Sequence, residues 1–80
     1  MFYTYILLSL KSGRFYTGHT EDISRRLEQH NRGENKSTRN GIPWKLIWFK
    51  EFPSRSQAML SEKKIKSRGA KRFLQDIGFY

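Results

Sequence analysis

The chain has no cysteine, only two prolines, and seven acidic residues among eighty. Without cysteine, neither a disulfide framework nor a thiolate zinc site can staple the fold, and cysteine usage carries no information about compartment. Long apolar runs are also missing. The longest, FYTYILLSL at 2–10, is too short to cross a bilayer, lacks a basic n-region, and leads into a turn where a secretory leader would have a small-residue cleavage site. No membrane segment or leader is expected, and the cytoplasm is the expected location. There is no internal repeat, low-complexity tract or linker. Eighty residues leave room for one domain, 1–80, which buries only about 60% of the surface its unfolded chain exposes.

What is present is positive charge and aromatic rings. Sixteen Lys and Arg against seven Asp and Glu give a formal net charge of +9, a field that attracts polyanions. The excess is uneven: KKIKSRGAKR, 63–72, holds six basic residues and no acid. A solvated helix face can look the same, but with a pI near 10.3 nucleic acid becomes the leading partner. Six Phe, four Tyr and two Trp are the expected source of core stability.

Residues 2–10 read as a strand, KSGR as a turn, and FYTGH as the partner strand of a hairpin. Alternation sets Tyr3, Tyr5 and Leu7 on one face and Phe2, Thr4, Ile6 and Leu8 on the other, so both faces are covered. The period then changes. Thr20 or Asp22 can cap a helix in which Ile23, Leu27 and His30 share a seam. NRGENKSTRNGIP is a loop, and WKLIWFKEF, 44–52, is a third strand ended by Pro53. Ser54 and Gln57 have capping-box spacing before a helix that runs to about Arg68. Beyond Gly69, AKRFLQDI forms a short last helix. The expected order is β-β-α-β-α-α, an α+β unit with a three-stranded antiparallel sheet flanked by helices.

Polar residues stand where apolar ones belong. His30 lies on the seam of the first helix, with Arg26 one turn before it; His30 reads either as a cap at the helix C-terminus or as a site group. On the next helix Glu62 lies on the stripe of Ala58 and Ile65. An inward carboxylate needs a cation, which is either an internal Lys or Arg or a metal ion. If Tyr5 and Tyr16 share a sheet face and both helices pack on that sheet, two phenols, Arg26, His30 and Glu62 line one concavity. That set suits phosphodiester hydrolysis, which needs a base for water, positive charge for the transition state, and an acid or metal at the leaving oxygen.

The opening stretch resembles the GIY-YIG nuclease family, in which two short tyrosine motifs lie on adjacent strands. YTY (Tyr3 to Tyr5) stands for the first motif and YTG (Tyr16 to Gly18) for the second. Arg26 in RRLEQHN matches the family's arginine, and Glu62 in SEKKIK its metal-binding glutamate. The resemblance covers nearly the whole chain and is similar in particular to the small stand-alone members. It implies one Mg²⁺ or Mn²⁺ ion held by Glu62, Tyr5 and Tyr16 orienting or deprotonating water, Arg26 on the scissile phosphate, and His30 as an auxiliary. His19 takes a place often filled by lysine and is expected at the nucleic acid. The first motif lacks the family's glycine and isoleucine. No asparagine follows Asn40, where many members have one, so Gln75 or a water is the expected substitute.

The function this implies is metal-dependent endonucleolytic hydrolysis of DNA, structure-selective or weakly specific, in repair, recombination or related processing. The alternatives are a basic nucleic-acid-binding module of the same fold without catalysis, and a nuclease acting on RNA. Phosphate contacts are expected from Lys63, Lys64, Lys66, Arg68, Lys71, Arg72 and, in the loop, Arg39. Specificity comes from nucleic-acid shape or from a partner protein.

Overall fold

Chain alternation decides how the N-terminal hairpin is used. In the computed structural model, which describes residues 1–79, β1 (Phe2–Ser9) pairs antiparallel with β2 (Phe15–Thr20) on one side and β3 (Trp44–Phe52) on the other. The sheet order is β2-β1-β3, so β1 is central and β2 keeps a free edge. The helices are α1 (Ile23–Asn31), α2 (Arg55–Arg68) and α3 (Ala70–Asp76), in the expected order. A 3-10 turn at Arg39–Gly41 interrupts what reads in sequence as loop. No helix among the described residues is long and apolar enough to cross a membrane.

Each sheet face has its own core. Tyr5 and Leu7 pack with Trp44, joined by Tyr16, Leu27 of α1, Ile42 and Leu46. Ile6, on the opposite face, packs with Ile65 of α2 and Leu74 of α3, joined by Phe15, Ile47, Trp48 and Phe73. Full burial of such an aliphatic side chain stabilises by about 1.5–3 kcal/mol. The register slips by one residue between Ile6 and Leu7, a bulge that turns both Ile47 and Trp48 toward the α2/α3 side. Strict alternation along WKLIWFKEF would have separated those two.

The helix starts follow their caps. Asp22 Oδ1 accepts from the Arg25 amide at 3.0 Å, and Ser54 Oγ from the Gln57 amide at 3.3 Å. Of the two residues able to cap α1, Asp22 does so. Buried Thr4 donates to the Ala58 carbonyl at 2.7 Å, which docks α2 on the central strand. At Gly69, with φ at 95°, the chain turns from α2 into α3.

Candidate functional site

The β1–β2 register pairs Tyr5 with Gly18 and Leu7 with Tyr16. The two tyrosines are therefore diagonal neighbours on one face, with ring centroids 6.3 Å apart. The Tyr5 ring lies over Gly18: a Cβ there would sit 2.6 Å from Tyr5 Oη and 2.8 Å from its Cζ. Gly18→Ala must push the ring aside, and is expected to destabilise the protein by about 1–3 kcal/mol and to break the hydrogen bond from Tyr5 to His30. Thermal unfolding and the NMR shifts of the His30 ring check this. An unaltered His30 signal would mean that Gly18 does not position Tyr5.

Beneath Tyr5, His30 is 1% exposed. Its Nε2 lies 3.1 Å from Tyr5 Oη and its Nδ1 2.7 Å from Thr38 Oγ1. Thr38 donates its one hydroxyl proton to the Asn35 carbonyl at 3.3 Å. In the tautomer protonated on Nδ1, the Thr38 oxygen accepts from His30 Nδ1–H, and Nε2 accepts the proton of Tyr5. Burial, and secondarily the Arg26 charge, hold the His30 pKa below its usual value. Burial pushes the Tyr5 phenol up; Tyr16 and Glu62 add to this and Arg26 opposes it. At neutral pH the pair is thus phenol and neutral imidazole.

The His30 shift has a sign that can be tested. Below its unfolded value of about 6.5, the unfolded chain takes up this proton more readily than the native one. Stability from neutral His30 is therefore complete above about pH 6.5 and falls as pH drops through the lowered native pKa. Denaturation midpoints from pH 7.5 to 5 should decline, and His30→Gln should flatten the slope. An equal slope in both proteins would show that His30 is not its source.

Because α1 and α2 cover opposite faces, the second half of the site reaches the tyrosines around the free edge of β2. An open cleft of about 790 Å³ crosses that edge, a size that admits a ligand of nucleotide dimensions. Tyr5, Tyr16 and Gly18 line it from one side, His19 and Glu62 from the other, and Arg25, Arg26 and Gln29 of α1 form a wall. Arg25 and Arg26 have no carboxylate partner among the described residues, whereas Arg55 at the rim is held by Glu21 at 2.7 Å.

Glu62 is 16% exposed and doubly bonded: His19 Nδ1 lies 2.5 Å from Oε1, and Lys66 donates to Oε2 at 2.6 Å. Burial pushes its pKa up, but the hydrogen bonds from Lys66 and His19 outweigh burial and hold it below the usual carboxylate range. The cleft's other acids are engaged elsewhere, Glu21 with Arg55 and Asp22 as the α1 cap. Among the described residues no cluster of three or more carboxylate or imidazole ligands exists. The donor set fits a hard divalent cation in one mode only, with Glu62 as a single carboxylate and the remaining positions held by water and phosphate oxygens, as Mg²⁺ accepts.

Tyr5, Tyr16, Arg26 and Glu62 therefore meet in one cleft, with His30 directly under Tyr5. Of the residues expected at nucleic acid, His19 and Lys66 both pair with Glu62, because a mostly buried carboxylate draws the nearest donors. Arg68 is held bidentately by Asp76 at 2.8 and 3.0 Å, and Arg39 Nε donates to the Gly33 carbonyl at 3.0 Å. Lys63, Lys64, Lys71 and Arg72 are exposed, and Lys71 and Arg72 border a second groove with Arg14. Gln75, exposed on α3, does not line the cleft; Gln29 does. The sequence carried a signal for Gln29, three residues after Arg26 on the same helix, but none for Thr38 in a polar loop.

Similarity to known proteins agrees with this arrangement. A UPF0213 protein of Streptococcus agalactiae serotype V is 43% identical over 72 residues, 86% of this chain and 81% of that protein. A UPF0213 protein of Haloquadratum walsbyi is 42% identical over 66 residues, 81% of this chain and 73% of that one. The solution NMR structure of a UPF0213 protein from Bacillus halodurans superposes with a TM-score of 0.58 at 36% identity, covering 99% of this chain and 85% of that one. Residues 1–74 match the family model described as the GIY-YIG catalytic domain, and the chain belongs to the GIY-YIG family.

Proposed function

We propose that this protein is a metal-dependent endonuclease that hydrolyses phosphodiester bonds of DNA. The observation that carries this is the convergence, on one open cleft, of a phenol already hydrogen-bonded to a neutral imidazole, a carboxylate, and two arginines without acidic partners among the described residues. Glu62, bonded here to Lys66 and His19, is the carboxylate of the cleft that would hold a divalent cation.

Arg26 binds the scissile phosphate and stabilises charge that develops on its oxygens. Tyr5 turns its proton toward His30, so the lone pairs of its oxygen are free to hold a water. As the water oxygen bonds to phosphorus, the water proton passes to Tyr5 Oη and the Tyr5 proton to His30 Nε2. No phenolate accumulates, which is how a phenol with a raised pKa can serve at neutral pH. The bond to the leaving oxygen breaks, and that oxygen takes a proton from solvent. His30, whose imidazolium is disfavoured by burial and by Arg26, returns its proton through Tyr5. Glu62 would hold a Mg²⁺ or Mn²⁺ ion, which would supply Lewis acidity when bound. Tyr16, half-buried beside Tyr5 with its ring 4.9 Å from that of His30, packs the pair and offers a second hydroxyl to the water.

Association is electrostatic and therefore steeply salt-dependent, losing several orders of magnitude in affinity when six or more phosphates are neutralised, roughly 10³-fold between 50 and 200 mM salt. A binding constant that barely moves over that range would refute this. The activity itself is tested on labelled single-stranded, duplex, flap and branched DNAs and a matched RNA, with Mg²⁺, Mn²⁺ or chelator. Metal-dependent cutting of DNA is expected. Cutting confined to the RNA would overturn the substrate, and salt-dependent binding without any cutting would make the protein a binding module.

A further inference from the structure

We propose that Met59 and Leu60 of α2 form a seat for an unpaired nucleobase beside the scissile phosphate, so that the strands taken best are those whose bases are free at that point. This rests on the nuclease reading and names the substrate class of the same site. Met59 and Leu60 are 49% and 54% exposed, consecutive, and absent from the packing of α2, whose buried residues are Ala58 and Ile65. They floor an apolar groove whose other walls are His19, Ser56, Glu62, Lys63 and Lys66.

Two features identify the occupant. The groove shares His19 and Glu62 with the catalytic cleft, and Met59 precedes Glu62 by one helical turn, about 4.5 Å along the axis. A ligand whose phosphate lies at Glu62 and Arg26 thus places its adjoining group over Met59 and Leu60. The rim carries Lys63, one turn beyond Leu60, which matches a flanking phosphate in charge, and Lys66, which is paired with Glu62. An anionic backbone interleaved with flat apolar groups is the chemistry of a nucleic acid strand, and groups covering base faces beside a cationic track bind single strands in a sequence-tolerant way. A thioether and a branched aliphatic chain adapt to any base. Paired, stacked bases present only their edges and cannot enter the groove.

The test uses fluorescence anisotropy without metal, comparing a short single-stranded DNA with a strand of equal length built from abasic tetrahydrofuran units, which keeps every phosphate and lacks every base. The wild type is expected to bind the base-bearing strand roughly tenfold more tightly. Met59→Ser combined with Leu60→Ser should erase that preference while binding the abasic strand as the wild type does, which also shows that the variant is folded. A preference that survives the double substitution, or none in the wild type, overturns the seat while leaving the nuclease reading intact. Failure of the wild type to bind either strand would overturn both. If the substitutions instead leave strand binding unaltered and abolish self-association in sedimentation, the surface is a protein contact and the seat is refuted.

Discussion

Glu62→Gln is expected to lower metal-dependent cleavage by roughly 10³-fold, the scale of several kcal/mol of lost transition-state stabilisation. The amide keeps the volume and one acceptor oxygen, so His19 can still be bonded and the stripe of Ala58 and Ile65 need not repack. What disappears is the negative charge proposed to hold a divalent ion. Removing a negative charge from a cleft that receives a polyanion should leave DNA binding in metal-free buffer equal or tighter. Cleavage retained at the wild-type rate would refute the metal role, and parallel loss of cleavage and metal-free binding would point to a structural defect. The variant should also lose part of the acid-induced destabilisation. The native Glu62 pKa is lowered, so its contribution is present above the unfolded value of about 4.3 and disappears as pH falls through the native one.

Tyr5→Phe should be nearly as severe, with cleavage reduced by roughly 10²–10⁴-fold. The ring remains over Gly18 and in contact with its core neighbours. His30 Nε2 is left buried without its donor, an expected loss of about 1–3 kcal/mol in stability, which denaturant titration would read. The sharper measurement is a double-mutant cycle with His30→Gln. Two groups that pass one proton act as a unit, so the double variant should cleave no worse than Tyr5→Phe alone. Rate losses that multiply would separate His30 from Tyr5 and remove the relay. Tyr16→Phe, which breaks no hydrogen bond to His30, should cost less than Tyr5→Phe. The reverse ranking would make Tyr16 the residue that activates water.

The comparison of Tyr5 with Tyr16 marks what a sequence can carry. His30 and Glu62 stand out in the primary structure, because a polar group on an otherwise apolar period is visible without coordinates; Tyr5, Tyr16 and Arg26 are singled out by the resemblance of their motifs to the GIY-YIG family. Both rings lie against His30, and what separates the two phenols in the fold is the hydrogen bond: Tyr5 Oη lies 3.1 Å from His30 Nε2, whereas Tyr16 meets the imidazole only ring to ring. Lys66 illustrates the opposite case. In sequence it is one more cation in a basic run, and in the fold it closes on the carboxylate one turn before it.

Local physics determined the order of elements, the capping of α1 and α2 by Asp22 and Ser54, the covering of both faces of β1, and the positive field, since each depends on residues within a few positions or on composition alone. Tertiary structure decided the rest. Opposite placement of α1 and α2 turned an imagined pocket on one sheet face into a cleft around the free edge of β2. The bulge opposite Ile6 and Leu7 redistributed Ile47 and Trp48, and the loop brought Thr38 within 2.7 Å of His30 Nδ1. The physical reason is that packing and polar satisfaction are settled in space: a buried polar group must be satisfied by whichever partner the fold brings within about 3 Å, whether that partner lies 3 positions away, as Asn35 from Thr38, or 54, as Ala58 from Thr4.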